Sequence, residues 1–154
     1  MTDSATHTSS RVIVASPRAI FRAFMDPESI ASWRPPKGMT AKVLAFDPRV
    51  GGSYRMAFYY PESERGRGKT TPDADHFEGR FVELLPDEKI VETVEFDSTD
   101  PAFAGLMTIT TSLAPVTGGT KVTFLAENAP AGISAAEHKA GMDSTLKNLA
   151  NFIE

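Results

Sequence analysis

The spacing of apolar residues changes along the chain and divides it into regions of different structure. Residues 1–10 are rich in Thr and Ser, and we expect them to form a disordered tail. The β-branched residues 11–15 predict a first strand. Ser16-Pro17 and Asp26-Pro27 each combine an N-cap residue with a proline at the first helical position, which predicts two short helices ending before Pro35-Pro36.

The middle of the chain, from Thr40 to Glu127, has a period of two and predicts six more strands. Short turn sequences rich in Gly, Pro and Asp separate them, so the strands must pair antiparallel. The break in alternation at Val82, Leu84 and Leu85 predicts a β-bulge. The predicted strands are residues 41–47, 53–60, 76–85, 89–96, 106–114 and 120–127.

The last segment returns to helical spacing. Ser134 and Glu137 form a capping box, and the apolar positions after them fall on one stripe of a helix that continues to residue 153. The order predicts an α+β domain over residues 11–154: a curved antiparallel sheet of about seven strands, two short helices after the first strand, and a long C-terminal helix.

This order of elements predicts a cavity. A helix is about 10–12 Å wide, whereas seven strands span about 29 Å, so the sheet must curl around the helix and one helix need not fill the trough. Large apolar residues on the inward face fit either a ligand cavity or a dry core, and both interpretations stay open. The predicted lining residues are Trp33, Tyr54, Met56, Phe58, Phe77, Phe81, Phe96, Met107, Ile109, Phe124, His138 and Met142.

Composition excludes several classes of function. The chain carries 16 basic and 20 acidic residues, a net charge of −4, without the basic patch of a nucleic-acid-binding protein. It has no Cys, which excludes disulfides, thiolate catalysis and Cys-ligated metals. No apolar run approaches the ~20 residues that cross a bilayer, and the polar N-terminus lacks the apolar stretch of a signal peptide. We therefore expect a cytoplasmic protein without a membrane span.

His138 is the polar residue of greatest chemical interest, because it shares the inward stripe of the last helix. An imidazole among apolar walls could orient a ligand or act as an acid or base, or it could be a partly solvated residue at the helix start. Arg34, beside Trp33, could meet a ligand carboxylate. His76 and Glu78 could supply two metal ligands, but no third is evident, so we expect an exposed sheet face and no metal or cofactor.

Residues 61–75 form a long polar connector between two predicted strands, and such loops are often functional or mobile. The connector could close over the cavity, or it could be solvated. It contains Gly68-Lys69-Thr70, which resembles the end of a phosphate-binding loop. Position 63 is Ser where that motif requires Gly, and no strand-to-helix transition follows, so the sequence excludes nucleotide binding of this type.

Several motifs resemble those of the START-like (SRPBCC) superfamily and, within it, the bacterial homologues of the heat-shock-protein ATPase activator. The resemblance covers nearly all of residues 11–153. Its motifs are Val14-Ala15-Ser16-Pro17 before Ile20-Phe21-Arg22-Ala23-Phe24, Trp33, residues 47–54 (DPRVGGSY), residues 79–91 (GRFVELLPDEKIV), residues 118–123 (GGTKVT) and residues 138–142 (HKAGM).

The resemblance implies a helix-grip fold with a deep, mostly apolar cavity, which relatives use for lipids and other hydrophobic molecules. Some relatives are cyclases or aromatases, and others bind chaperones. Met142 departs from the pattern, because the family often has Trp there, and the smaller side chain could enlarge the cavity.

Three hypotheses about function follow. The first is a non-catalytic carrier of a small hydrophobic, lipid-like or aromatic molecule. The second is a chaperone-ATPase regulator or stress-response interaction module. The third is a cyclase- or hydrolase-type enzyme that uses His138 as acid or base. The sequence leaves open whether the protein is a monomer or a homodimer.

Overall fold

The computed structural model describes residues 5–64 and 66–154, which form seven strands and three α-helices. The helices are α1 (Pro17–Phe24), α2 (Pro27–Trp33) and α3 (Ala135–Ile153). The strands are β1 (Ala5–Ile13), β2 (Thr40–Phe46), β3 (Ser53–Tyr59), β4 (Ala74–Leu85), β5 (Lys89–Phe96), β6 (Met107–Val116) and β7 (Gly119–Ala129). Short 3₁₀ turns cover Glu62–Glu64 and Pro101–Phe103.

All seven strands form one antiparallel sheet in the order β1-β7-β6-β5-β4-β3-β2. Strands β2 to β7 therefore follow one another as a meander, and α1 and α2 carry the chain from one edge of the sheet to the other. Helix α3 packs against β1 and α2. This is the α+β helix-grip fold that the sequence predicts.

Local capping places the helices as expected. Ser16, Asp26 and Ser134 each accept a hydrogen bond from the backbone N–H three residues later, at 3.1–3.2 Å. These bonds satisfy N–H groups that lack a partner inside the helix. The residues that the sequence predicts as N-caps are therefore the observed N-caps, and the predicted helix starts are confirmed.

The first strand is longer than predicted, since β1 begins at Ala5 and pairs with β7 along its length. The prediction of a disordered tail is therefore wrong for residues 5–10, while residues 1–4 lie outside the described residues. The polar side chains of this segment do not prevent main-chain pairing. His7 and Ser9 point inward and are buried, and Ser9 donates a hydrogen bond to Asp143 of α3.

The predicted bulge in the longest strand is confirmed, because the register of β4 on β5 shifts between Phe81 and Glu83. Phe77, Gly79 and Phe81 lie on the inner face before the shift and are buried. The second half of α3 fills the space above one part of the sheet, where Leu146 and Leu149 are at most 1% exposed. The first half does not fill the space above the remaining strands.

Candidate ligand cavity

A cavity of about 390 Å³ lies between the sheet and the first half of α3. This volume is within the ~300–1,000 Å³ range of small-molecule sites. Its walls are mainly apolar, and aromatic rings come from two helices and from several strands. The aromatic lining residues are Phe24, Trp33, Phe58, Tyr60, Phe77, Phe96 and Phe124, and the aliphatic ones include Val94, Met107, Ile109, Ile133 and Met142.

Most residues predicted as lining do surround this cavity. They are Trp33, Phe58, Phe77, Phe96, Met107, Ile109, Phe124, His138 and Met142. Tyr54, Met56 and Phe81 are not among its lining residues, although each is at most 2% exposed. The rings of Tyr54 and Phe81 lie 5.4 Å apart and both pack on Phe46, so these residues belong to a closed part of the core. Strand alternation identifies the face of a residue, but not its position beneath the helix.

A buried cluster of polar groups closes the inner side of the cavity. Glu92, on β5, is 1% exposed. Its Oε1 accepts hydrogen bonds from Arg34 Nη2 at 3.0 Å and from the Tyr54 hydroxyl at 2.5 Å. Arg34 Nη2 also donates to the Tyr54 oxygen at 3.2 Å. Arg34 follows the last turn of α2, so the cluster joins that helix to β3 and β5.

The ionisation states of this cluster follow from burial and charge. Burial alone would lower the pKa of Arg34, but the negative charge of Glu92 and the contact with Tyr54 outweigh it and raise the pKa. Burial is the main cause that raises the pKa of Tyr54 well above its usual value, and Arg34 opposes the rise only in part. At neutral pH Arg34 is therefore a cation, and Tyr54 keeps the proton that it donates to Glu92.

A second polar cluster lies at the mouth of the cavity. Asp75 accepts hydrogen bonds from Lys69 Nζ at 3.0 Å and from the Tyr60 hydroxyl at 2.7 Å. Burial acts to lower the pKa of Lys69, but Asp75 and Tyr60 raise it, and the net change is upward. The Lys69 ammonium also lies 5.8 Å from the centre of the Phe96 ring.

The long connector contributes to the cavity mouth, because Glu64, Arg67 and Lys69 all line it. The Lys69–Asp75 contact holds this connector against β4. These contacts favour the interpretation of the connector as a cover over the cavity rather than as a freely solvated loop.

His138 lines the cavity in the first turn of α3, and its Nδ1 lies 2.7 Å from Nδ1 of His7 on β1. One ring must donate and the other must accept, so at least one of the two is neutral. Burial, followed by the electrostatic influence of the neighbouring His7 ring and of the Lys69 ammonium, lowers the pKa of His138 to about 4. At neutral pH His138 is therefore uncharged, which disfavours a role as a general acid.

The other candidate residues lie away from the cavity lining. His76 is half-buried, with its ring 6.2 Å from that of Tyr59, and Glu78 is exposed. Over residues 5–64 and 66–154, no three His, Asp or Glu side chains come together in a way that could hold a metal ion.

Sequence patterns did not identify several cavity residues. Glu92 sits in a strand where Ile90 and Val91 are both apolar, so alternation there is ambiguous, and its partner Arg34 is 58 residues away. Lys69 stood out only in the rejected resemblance of Gly68-Lys69-Thr70 to a phosphate-binding loop, and Asp75 was part of a polar loop without a distinguishing signal. His7 was assigned to the tail, and only pairing of β1 with β7 brings it to His138.

Solved structures of bacterial proteins share this fold. A crystal structure from Chromobacterium violaceum is 36% identical, with 97% of this chain and 96% of that chain covered and a TM-score of 0.86. A Rhizobium loti protein is 27% identical, with 97% and 96% covered and a TM-score of 0.74. A Rhodobacter sphaeroides protein at 20% identity, with 95% and 89% covered and a TM-score of 0.76, shares the fold alone. No curated protein matches the chain significantly.

Two further observations bear on the protein class. In the part of the chain that the structure describes, no helix has both the length and the apolar character needed to cross a bilayer. The family model described as "Activator of Hsp90 ATPase homolog 1-like protein" matches residues 14–154. This chain therefore belongs to the family of activator of Hsp90 ATPase homolog 1-like proteins, as its motifs and its helix-grip fold indicate.

Proposed function

We propose that this protein binds a small hydrophobic molecule in the cavity between the sheet and α3. The observation that carries the proposal is the cavity itself, about 390 Å³ in volume and walled by aromatic rings beneath an incompletely covering helix. Membership of the family supports a small-ligand or chaperone-regulator role without specifying a ligand.

The walls are suited to supply affinity. An aromatic ligand that buries roughly 200 Å² would gain about 5 kcal/mol from removal of apolar surface from water, before the entropic cost of binding. The rings around the cavity already meet edge to face, as Phe58 and Phe77 do at 4.8 Å, so a flat guest could add to the same packing.

The test is a titration with N-phenyl-1-naphthylamine, an uncharged dye that fluoresces in apolar surroundings. We expect saturable enhancement with wild-type protein. Met142→Trp adds a large side chain to the cavity wall and should abolish the enhancement. Val12→Trp is the matched control, because Val12 is 50% exposed on β1 and does not line the cavity.

The two variants separate cavity binding from surface adsorption. If the dye binds equally to Met142→Trp and Val12→Trp, or does not bind to wild-type protein, the proposal is wrong. Circular dichroism spectra and denaturation midpoints of both variants must match those of the wild type for the comparison to hold.

A second candidate function, regulation of a chaperone ATPase, is favoured by the family model that covers residues 14–154. It predicts that adding this protein changes the ATP hydrolysis rate of a purified Hsp90. It also predicts that Met142→Trp leaves the effect intact if the outer surface, rather than the cavity, makes the contact. An unchanged hydrolysis rate over a wide concentration range would exclude this role.

A further inference from the structure

The charged residues around the cavity balance one another. The basic ones are Arg34, Lys37, Arg67 and Lys69, and the acidic ones are Glu64, Asp75, Glu92 and Glu137. Six of the eight form ion pairs: Arg34 with Glu92 at 3.0 Å, Lys69 with Asp75 at 3.0 Å, and Arg67 with Glu64 at 2.8 Å. The lining as a whole therefore offers no excess of charge to attract an ionic ligand.

The inner cluster nevertheless presents an unused acceptor. Both hydrogen bonds to Glu92 end on Oε1, and Oε2 has no partner among residues 5–64 and 66–154. Among those same residues, Thr111 Oγ1 is the one side-chain polar atom that is fully buried and has no hydrogen-bond partner. Because Glu92 Oε2 also has no partner but is not such an atom, it is not fully buried and borders open space. Because Glu92 lines the cavity, that space is the cavity.

The same cluster presents unused donors. Both hydrogen bonds from the Arg34 side chain leave from Nη2, so Nε and Nη1 donate to none of the described residues. The side chain keeps 12% of its surface exposed, and Arg34 lines the cavity. A carboxylate acceptor and guanidinium donors thus lie side by side at the inner end of an apolar space.

An ionic head group is poorly matched to this pair. A carboxylate would bring a negative charge beside Glu92, and an ammonium would bring a positive charge beside Arg34, and a buried charge without a net counter-charge is costly. A hydroxyl or a primary amide donates and accepts at once and carries no charge.

We propose, on the basis of the proposed function, that the ligand is an uncharged molecule with an apolar body and a hydroxyl or amide group that donates to Glu92 Oε2 and accepts from Arg34. The apolar body lies among the aromatic rings, and the polar group lies at the inner end. The ligand class is therefore that of phenols, alcohols and neutral amides rather than fatty acids or amines.

The first test compares four probes of one ring size on wild-type protein, each competing with N-phenyl-1-naphthylamine. The probes are 2-naphthol, 2-methylnaphthalene, 2-naphthoate and 2-(aminomethyl)naphthalene. We expect 2-naphthol to bind roughly tenfold more tightly than each of the others, as hydrogen bonds to charged groups allow. If the dye binds and 2-naphthol has no advantage, the head-group proposal is wrong and cavity binding stands. If the dye does not bind, both fail.

The second test changes the head group that the site prefers. Glu92→Gln keeps an oxygen for Arg34 and Tyr54, replaces the free acceptor with an N–H₂ donor, and leaves the charge of Arg34 uncompensated. We expect 2-naphthoate to bind this variant more tightly than 2-naphthol. Glu95→Gln, on the same strand but exposed and outside the cavity lining, is the matched control and should keep the wild-type preference. An unchanged preference in Glu92→Gln contradicts the proposal.

If Glu92→Gln does not fold, a variant without any charge in the cluster replaces it. The triple variant Arg34→Met/Tyr54→Phe/Glu92→Leu removes the ion pair together with the hydroxyl that bonds to it. Proteins often tolerate the replacement of a buried ion pair by apolar side chains of similar volume. We expect it to bind 2-methylnaphthalene more tightly than 2-naphthol. A persistent preference for 2-naphthol would show that other groups hold the hydroxyl and would overturn the assignment.

Discussion

The ring of Tyr54 on β3 lies directly against Gly79, its register partner on β4. A Cβ at position 79 would stand 1.9 Å from Cζ of that ring. Only glycine leaves room for the ring there, and this position brings the Tyr54 hydroxyl to Glu92. The glycine of the GRF sequence at residues 79–81 is thus required by the buried polar cluster beside the cavity.

Gly79→Ala is expected to displace the Tyr54 ring and to lower the free energy of unfolding by about 1–3 kcal/mol, the usual cost of overpacking a core. Urea denaturation measures the loss. In a Tyr54→Ala background the added methyl group meets no ring, so the same substitution should cost much less. Additive losses in this double-mutant cycle would contradict the relationship.

Gly141→Ala is expected to have the opposite effect. Gly141 lies inside α3, where glycine costs roughly 0.5–1 kcal/mol relative to alanine, and an added Cβ would meet no atom within 4 Å apart from its chain neighbours and the nearby backbone of its own helix. The free energy of unfolding in urea should rise by about that amount. A loss of stability would mean that the space beside Gly141 is filled.

The buried His138 predicts a fall in stability on acidification. Its pKa is about 4 in the folded protein, against 6.5 for an exposed histidine. At pH values between these two pKa values, His138 binds a proton in the unfolded chain but not in the folded protein. The free energy of unfolding should therefore be insensitive to this residue above pH 6.5 and should fall from there toward pH 4.

His138→Gln removes this titration beside His7 and Lys69, so denaturation curves at pH 7, 6 and 5 should show a smaller fall than in the wild type. His76→Gln removes an imidazole outside the cavity lining and serves as the control. Identical pH dependence in wild-type protein and His138→Gln would contradict the burial of a neutral His138.

Asp75→Asn is expected to release the connector from β4, because Asp75 accepts hydrogen bonds from the Lys69 ammonium, the Lys69 backbone N–H and the Tyr60 hydroxyl. Loss of a carboxylate from such a cluster costs about 1–3 kcal/mol. Trypsin should then cleave faster after Arg67, whose side chain is 57% exposed.

Glu83→Gln is the matched control for Asp75→Asn. It breaks a pair with Lys89 in which both side chains are more than a third exposed, and such pairs contribute little. Cleavage after Arg67 at the wild-type rate in Asp75→Asn would show that Lys69 and Asp75 do not hold the connector.

Local signals were sufficient to predict most of the fold. Ser16, Asp26 and Ser134 cap the helices that they were predicted to start, and Phe77, Gly79 and Phe81 lie on the predicted inner face of β4. Both kinds of signal depend on neighbours within a few residues, which the sequence displays directly.

The site was only partly predictable, because its polar groups come together through long-range pairing. His7 and His138 are 131 residues apart, and Arg34 and Glu92 are 58 apart. Alternation placed Tyr54 correctly in the interior, but whether it faces the cavity or a closed part of the core depends on how α3 crosses the sheet. No periodicity in the sequence encodes that crossing.

The most direct test of the central claim, that a guest occupies this cavity, is an NMR measurement on protein with ¹³C-labelled methionine methyl groups. With N-phenyl-1-naphthylamine bound, we predict intermolecular nuclear Overhauser effects to Met107 and Met142, which line the cavity, and none to Met25 and Met56, which do not. Contacts to Met25 or Met56 without contacts to Met107 and Met142, or no contacts from a bound dye to any of these four, would contradict the account.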